Sequence, residues 1–471
     1  MLSPSAISRR RLLEMTGLGF GTLALRSLEG AAIPQDLAPR KPHFDPSAKA
    51  VIQIVHNGGP SQMDLFDPKP MLTKMAGKPH PDGVEIHQPN NANVLLPSPF
   101  QFQKHGQCGM EISEILPEMG KMADELCMIR SMHTEHNNHP EGLNMLHTCR
   151  IFPGRPVLGA WISYALGTVN RNLPAYIVLR DPEGYPVSGK QLWSNGWLPA
   201  LYQGVEFSSS GVPVHNLSPA DPLPPGAQRG AMDFLQQLNR KHQQDRPGEF
   251  ELEARIQNYE LAARMQVAAM EVLDISKETE ATRKLYGLDN PLTAGFGLRC
   301  LMARKLVESG VRFVQVFPGV GQPWDTHSKL KTDLPRICAK TDLPSAGLIK
   351  DLSGRGLLDS TVVMWGGEFG RLPTTQNSDG RDHNRNAFTL LFAGGGFKKG
   401  FVYGETDEFG YKAAVNRVSV PNLQATLLHM LGLDHRRMTF THAGREQTPT
   451  DSSVTGAEPV MELVDKREKR A

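Results

Sequence analysis

Four short segments bring together histidines, carboxylates and arginines in patterns that could do chemistry. The first is His56-Asn57-Gly58-Gly59-Pro60-Ser61-Gln62-Met63-Asp64, where the paired glycines permit a sharp turn and close approach of the backbone to a ligand. Asn57, Ser61 and Asp64 could then face a site, although an ordinary turn with Asn and Ser hydrogen bonds gives the same pattern. The second is Arg130-Ser131-Met132-His133-Thr134-Glu135-His136-Asn137-Asn138-His139-Pro140. Imidazole is the commonest metal ligand and an acid/base near neutral pH, so this run reads as ligands or as proton-transfer groups. The third is Trp324-Asp325-Thr326-His327, where Asp and His two apart can project to one side. The fourth runs through Gly366-Gly367-Glu368-Phe369-Gly370-Arg371 to Gly380-Arg381-Asp382-His383-Asn384. A carboxylate at the end of a buried strand is costly unless paired. A divalent cation would offset it, and so would Arg371 or Arg381, whose planar forks also suit a tetrahedral oxyanion. The plainer alternative is a Glu–Arg structural ion pair.

Each segment follows an apolar run of strand length. The runs are 51–55, 126–130, 175–179, 311–317, 361–365 and 388–392. Most are continuous rather than alternating, as expected of strands buried on both faces. Helical patterns lie between them, at 157–166, 232–244, 251–275, 296–309 and 423–431, and Glu141 to Arg150 reads as a further helix. Its N-terminus would present backbone N–H groups and a positive dipole end to an anion. Strands alternating with helices predict a largely parallel sheet covered by helices. Ligands of such sheets sit beyond the C-terminal strand ends, where these chemically rich segments fall.

The chain has 471 residues, with 39% hydrophobic and 21% charged, which is globular composition. A net charge of +2 gives no case for nucleic acid. The five cysteines are widely spaced and form no CxxC, which argues against a disulfide framework and a zinc–thiolate site. Ser8-Arg9-Arg10-Arg11-Leu12-Leu13 precedes a short, weakly apolar run and then Gly30-Ala31-Ala32. This resembles a twin-arginine export signal over residues 1–32, and predicts a periplasmic or extracellular protein handled by the twin-arginine machinery. No later segment reaches membrane-spanning length. Residues 33–48 read as a Pro-rich lead-in, 49–442 as one domain and 443–471 as a loosely held polar tail.

Taken in order, GGPSQMD with FDPKP, RSMH with its trailing histidines, WDTH, GGEFGR, GRDHN and Gly400-Phe401-Val402-Tyr403-Gly404-Glu405-Thr406-Asp407-Glu408 resemble the domain of unknown function 1501 family, often described as sulfatase-related. That family is similar to the alkaline phosphatase–sulfatase superfamily. The resemblance implies a three-layer α/β/α sandwich with a mostly parallel central sheet and a site for one or two metals. Glu368 stands where that superfamily has the Asp of an Asp-His pair, with Phe369 at the His. His383, Asp325 and His327 match further metal-binding positions, and Asn57 falls near the first-strand Asp. The helix that carries the superfamily's nucleophile opens here at Asn138-His139, with no Ser, Thr or Cys.

The resemblance therefore implies a metal-dependent hydrolase of sulfate or phosphate esters, acting on a small-molecule or glycan ester. Metal-ligand candidates are Asn57, Asp64, Asp325, His327, Glu368, Asp382 and His383. Arg371 and Arg381 would contact the oxyanion. His139 would attack or transfer a proton, with Ser61 or a metal-activated water as alternatives. Ligation by His and carboxylate without thiolate leaves Zn, Mn, Ca and Mg open. The competing reading is a non-catalytic envelope protein that binds a metal or an anionic glycan on the same fold.

Overall fold

The computed structural model describes residues 36–88, 93–210, 224, 226–245, 250–377 and 379–465. The expected export signal, residues 1–32, lies outside the described residues. A nine-stranded sheet forms the centre. Its strands are β1 (Ala50–Val55), β2 (Leu126–His133), β3 (Tyr176–Leu179), β4 (Val205–Glu206), β5 (Phe313–Val316), β6 (Thr361–Gly366), β7 (Phe388–Ala393), β8 (Phe401–Tyr403) and β9 (Val418–Ser419). Their spatial order is β8-β2-β7-β6-β1-β5-β3-β4, with β9 also paired to β2. Neighbours are parallel except around β7, which runs antiparallel to both β2 and β6. Ile54 of β1 lies opposite Val316 of β5 and Trp365 of β6, so these strands end together.

The apolar runs are continuous because both faces of the sheet are covered. Ile52 and Ile54 point to one core with Val316 and Trp365. There they meet α3 (Phe250–Leu273), α4 (Pro291–Glu308) and α5 (Leu330–Gly354), through residues such as Met265, Phe296 and Ile349. Val51 and Val55 point to the other core with Phe313 and Met364. That face is covered by α1 (His139–Thr148), α2 (Leu158–Leu166) and α6 (Val420–Met430), through Leu143, Trp161 and Leu427. The architecture is the expected three-layer α/β/α sandwich.

Two features differ from the sequence reading. α5 has 25 residues and contains Pro335 and Pro344, each of which removes a backbone donor and masked the helical pattern. The C-terminal stretch expected to be loose is packed as far as it is described. Leu463 is fully buried, Phe397 bridges to Val464, and Asp451 pairs with Arg150 at 2.7 Å. The lead-in is also docked, with Ser47 and Ala48 donating to the Met430 carbonyl. All five cysteines are free thiols. Among the described residues, no helix is long and apolar enough to cross a membrane.

Deleting most of a buried leucine side chain removes its transfer free energy and leaves a cavity. Leu463→Ala is therefore expected to lower the unfolding free energy by about 2–5 kcal/mol, read by urea denaturation. A loss within error of zero would return the segment to the status of a loose tail.

Candidate metal centre

Because β1, β2, β5 and β6 run in one direction, the segments after them emerge at one edge of the sheet. Asp325 and His327 follow β5. His139 opens α1 after β2, with Asn138 in extended conformation as its N-cap and Pro140 in the first turn. His383 lies in an antiparallel hairpin, Gly370–Gln376 with Gly380–Asn384, that follows β6. Gly58 closes the edge in a left-handed conformation (φ 114°), and a Cβ there would lie 2.7 Å from the Asp325 backbone nitrogen. Only glycine allows the β1 and β5 loops to meet this closely.

One ligand atom from each of His139, Asp325, His327 and His383 falls within 4.8 Å of the others. Each imidazole has its Nδ1 against an acceptor. His383 Nδ1 lies 2.6 Å from the Asn137 carbonyl, His139 Nδ1 lies 2.6 Å from Glu368 Oε1, and His327 Nδ1 meets Gln376 Oε1. The Gln376 amide is placed by its Nε2, which donates to Gln88 Oε1 at 3.1 Å. The proton of each neutral ring therefore belongs on Nδ1, and Nε2 is left as a lone pair. All three Nε2 atoms face Asp325. His327 lies 2.8 Å and His383 3.1 Å from Oδ1, and His139 lies 3.3 Å from Oδ2. The Nε2 atoms of His327 and His383 are 3.0 Å apart.

Acceptors cannot converge in this way without a proton or a cation between them. Burial pushes His383 down to about 3, outweighing its hydrogen bond to Asp325, so a proton there is disfavoured. Burial would raise Asp325, but the three imidazoles against it and the Arg371 charge hold it well below the usual carboxylate range. His139 is the one raised. Burial opposes a proton there, and hydrogen bonds to Asp325 and Glu368 outweigh it. His139 Nε2 is also buried with no hydrogen-bond partner of good geometry. Asp325 and Glu368 bring two formal negative charges against one positive charge on Arg371, leaving room for a cation. Ligands about 2.0–2.1 Å from a tetrahedral zinc lie about 3.3 Å apart, close to the separations here. Three imidazoles and a carboxylate fit one divalent ion of the zinc type.

The other expected residues stand elsewhere. Glu368 is fully buried behind His139 and also accepts from the Gly58 N–H at 2.9 Å, so it orients a ligand rather than joining the four. Arg371 is not placed to receive an oxyanion. It is fully buried, Nε donates to the Gly59 carbonyl at 2.9 Å, Nη1 to the Arg381 carbonyl at 3.1 Å, and Nη2 to Asp325 at 2.6 Å and to the Gly58 carbonyl. Arg381 is likewise committed. Its guanidinium pairs with Asp64 at 2.7 and 3.0 Å, both side chains being fully buried. This is the structural ion pair weighed as the plainer alternative, made with Asp64 rather than Glu368. Asp64 also accepts from the Ser61 hydroxyl, which leaves both outside the four-residue group. Asp382 accepts from the backbone N–H groups of His87, Gln88 and His383 at 2.8, 3.0 and 2.8 Å. Asn57 donates to the Gly321 carbonyl.

Three neighbours were not among the expected site residues. Phe369 packs its ring on His139 and His383, with centroids 4.9 and 4.8 Å away, and makes an apolar wall. Gln376 sits behind His327. His87 stacks on His383 at 4.7 Å and 22°, from a loop pinned by Asp382 and by an Arg385–Glu85 pair at 2.9 Å. A lone histidine among turn residues carries no periodic signal, whereas the GRDHN segment that anchors its loop was visible.

Purified protein supplied with zinc is expected to hold one equivalent, with release of about one proton, because a cation displaces the proton shared by His139. Calorimetry in two buffers of different ionisation enthalpy reads both numbers. Glu368→Gln is expected to weaken that binding about 10–100-fold. Asp64→Asn is expected to leave metal binding in place while costing about 3–5 kcal/mol of stability, since Arg381 would stay buried without its partner. Retained stability in Asp64→Asn, or zinc binding indifferent to Glu368→Gln, would contradict this assignment. Behind the site, burial holds His56 well below the usual range and brings His147 to about 4 against its hydrogen bond to the Leu143 carbonyl. The unfolded chain protonates such groups near pH 6.5, so it binds more protons than the folded one between about pH 6.5 and 4. Stability of the metal-free protein should thus fall as pH drops through that window. Thermal melts would show this, and a midpoint that rises on acidification would refute it.

The centre is thus built by the hairpin of Gly370–Gln376 with Gly380–Asn384, the β5 loop and α1, within the whole sandwich. A sulfatase from Pseudoalteromonas sp. aligns over 87% of this chain and 70% of its own, at 14% identity and a TM-score of 0.32. The lipoteichoic acid synthase of Listeria monocytogenes aligns over 87% and 78%, at 9% identity and a TM-score of 0.31. A phosphonate monoester hydrolase from Silicibacter pomeroyi aligns over 73% and 72%, at 11% identity and a TM-score of 0.27. Likeness of this degree carries no argument about activity. No curated protein matches the chain. The family model described as "Protein of unknown function (DUF1501)" matches residues 48–463, and the chain belongs to that family.

Proposed function

We propose that this protein is an exported, single-metal hydrolase of sulfate or phosphate esters, with a small-molecule or glycan ester as substrate. The observation that carries the reading is the convergence of three imidazole Nε2 atoms on Asp325 at the C-terminal edge of the sheet. The centre is more open on one side, where the His327 and Asp325 side chains are 20% and 11% exposed, against 2% for His383. The resemblance puts Phe369 at the His of the superfamily's Asp-His pair, and a phenyl ring cannot ligate, which supports one ion. Three imidazoles favour zinc or a similar transition metal over calcium or magnesium, which prefer oxygen ligands. Such an ion supplies Lewis acidity toward the ester oxygens.

The chain's own residues then have these roles. Glu368, Gln376 and the Asn137 carbonyl keep the Nδ1 protons in place and aim the Nε2 lone pairs. Arg371 fixes Asp325, and Gln322 donates to its other oxygen at 2.7 Å. Ser61 is tied to Asp64, and His139 has its Nδ1 against Glu368 and its Nε2 turned to the metal site, so the attacking group is water rather than a side chain. His87, half-buried on a mostly exposed loop beside the ligands, exchanges a proton with the leaving group in this reading. Export rests on the Ser8 to Leu13 segment and its match to a twin-arginine signal.

A second reading is a non-catalytic envelope protein that binds metal or an anionic glycan. It is favoured by four protein ligands, the number typical of closed structural sites, and by both arginines being committed. Turnover on panels of aryl sulfates and aryl phosphates separates the two. The hydrolase reading expects metal-dependent turnover that falls to background in His383→Ala. Metal-loaded protein with no more turnover than His383→Ala would overturn it and leave the binding reading.

A further inference from the structure

We infer a second ligand site, for a hydroxylated small molecule carrying one oxyanion, at the sheet edge beside β8. It shares no residue with the metal centre and does not rest on hydrolysis there. A cavity of about 590 Å³ is lined by Asp67, Lys69, Arg130, Lys398, Phe401 and Thr406. That volume lies in the usual range for small-molecule sites, roughly 300–1,000 Å³. Three of the sequence segments that the metal centre leaves unused meet here: Asp67-Pro68-Lys69-Pro70, the start of Arg130-Ser131-Met132-His133, and Gly400 to Glu408.

The charge balance at the cavity floor is incomplete. The Asp67 carboxylate is already taken by Lys69 at 3.0 Å and by the Thr406 hydroxyl. Arg130 comes no nearer to it than 4.0 Å. Its side chain is only 17% exposed, and its Nε has no hydrogen-bond partner. A buried guanidinium Nε–H without a partner is unfavourable, because it has lost water and gained nothing. Its planar fork matches a carboxylate, sulfate or phosphate in bidentate contact. Lys398, held over the Phe401 ring at 4.9 Å, adds a third cation to the lining after Lys69 and Arg130. Glu405 and Glu462, also in the lining, would repel a polyanion and accept hydrogen bonds from hydroxyl groups. A sugar with a single sulfate or carboxylate satisfies both ends.

Calorimetric titration of the metal-loaded full chain tests this with glucose 6-sulfate, glucuronic acid and uncharged glucose. The first two should bind at one site per chain and glucose should not. Arg130→Gln and Lys69→Met should each weaken binding about tenfold or more, while His383→Ala should leave it unchanged. Arg130→Lys, which keeps the charge and loses the fork, should also weaken it and serves where Arg130→Gln does not fold. Absence of binding by both charged probes would overturn the inference. So would binding lost in His383→Ala and unaffected by Arg130→Lys and Lys69→Met, which would put the anion at the metal centre.

Discussion

The Asp325 carboxylate lies with Arg371 on one side and three imidazole nitrogens on the other. The three imidazoles and Arg371 together hold it ionised in a buried setting. Burial keeps a second proton off His383, and His139 is the ring on which one is favoured. This arrangement is unstable as a set of neutral groups and becomes satisfied when a cation is added. Most of the local architecture follows from supplying those acceptors and that guanidinium.

Arg371 shows how far the requirement reaches. Its donors hold the Gly58 and Gly59 carbonyls after β1, the Arg381 carbonyl across the hairpin, and Asp325 after β5. One side chain thus ties three chain segments that are distant in sequence. The Asp64–Arg381 pair braces the hairpin from the other side, and Gln62 clamps the Arg371 backbone through both amide atoms. A centre framed in this way resists relaxation when it is empty, which suits a metal site that must hold its geometry. It also explains why both arginines are spent on the frame.

Much of the sandwich was legible in the sequence. Buried parallel strands leave continuous apolar runs, and every run singled out forms a strand of the central sheet. α5 was not legible, because Pro335 and Pro344 break the pattern that usually marks a helix. Asp325, His327 and His383 could be proposed as ligands from residue type and from their place after strands, whereas His139 was expected to attack or transfer a proton and joins the ligands instead. Their division from Glu368, Asp64, Asp382 and Asn57 could not. A carboxylate that binds a metal and one that binds an arginine or a backbone amide look alike in sequence, and only the partner distinguishes them. Likewise Arg371 and Arg381 have the right chemistry for an oxyanion, but their donors are spent on carbonyls and on Asp325 and Asp64. His87 owes its place to a loop held by backbone hydrogen bonds to Asp382, a relation with no local signature.

The family to which the chain belongs is defined without an activity, so the weight falls on the centre itself. X-ray absorption at the metal edge of the zinc-loaded protein addresses it most directly. The account predicts one metal per chain with three imidazole nitrogens and a carboxylate oxygen in its first shell, and loss of a nitrogen in His327→Ala. A shell made only of oxygen, a metal–metal pair, or a spectrum unchanged in His327→Ala would contradict it.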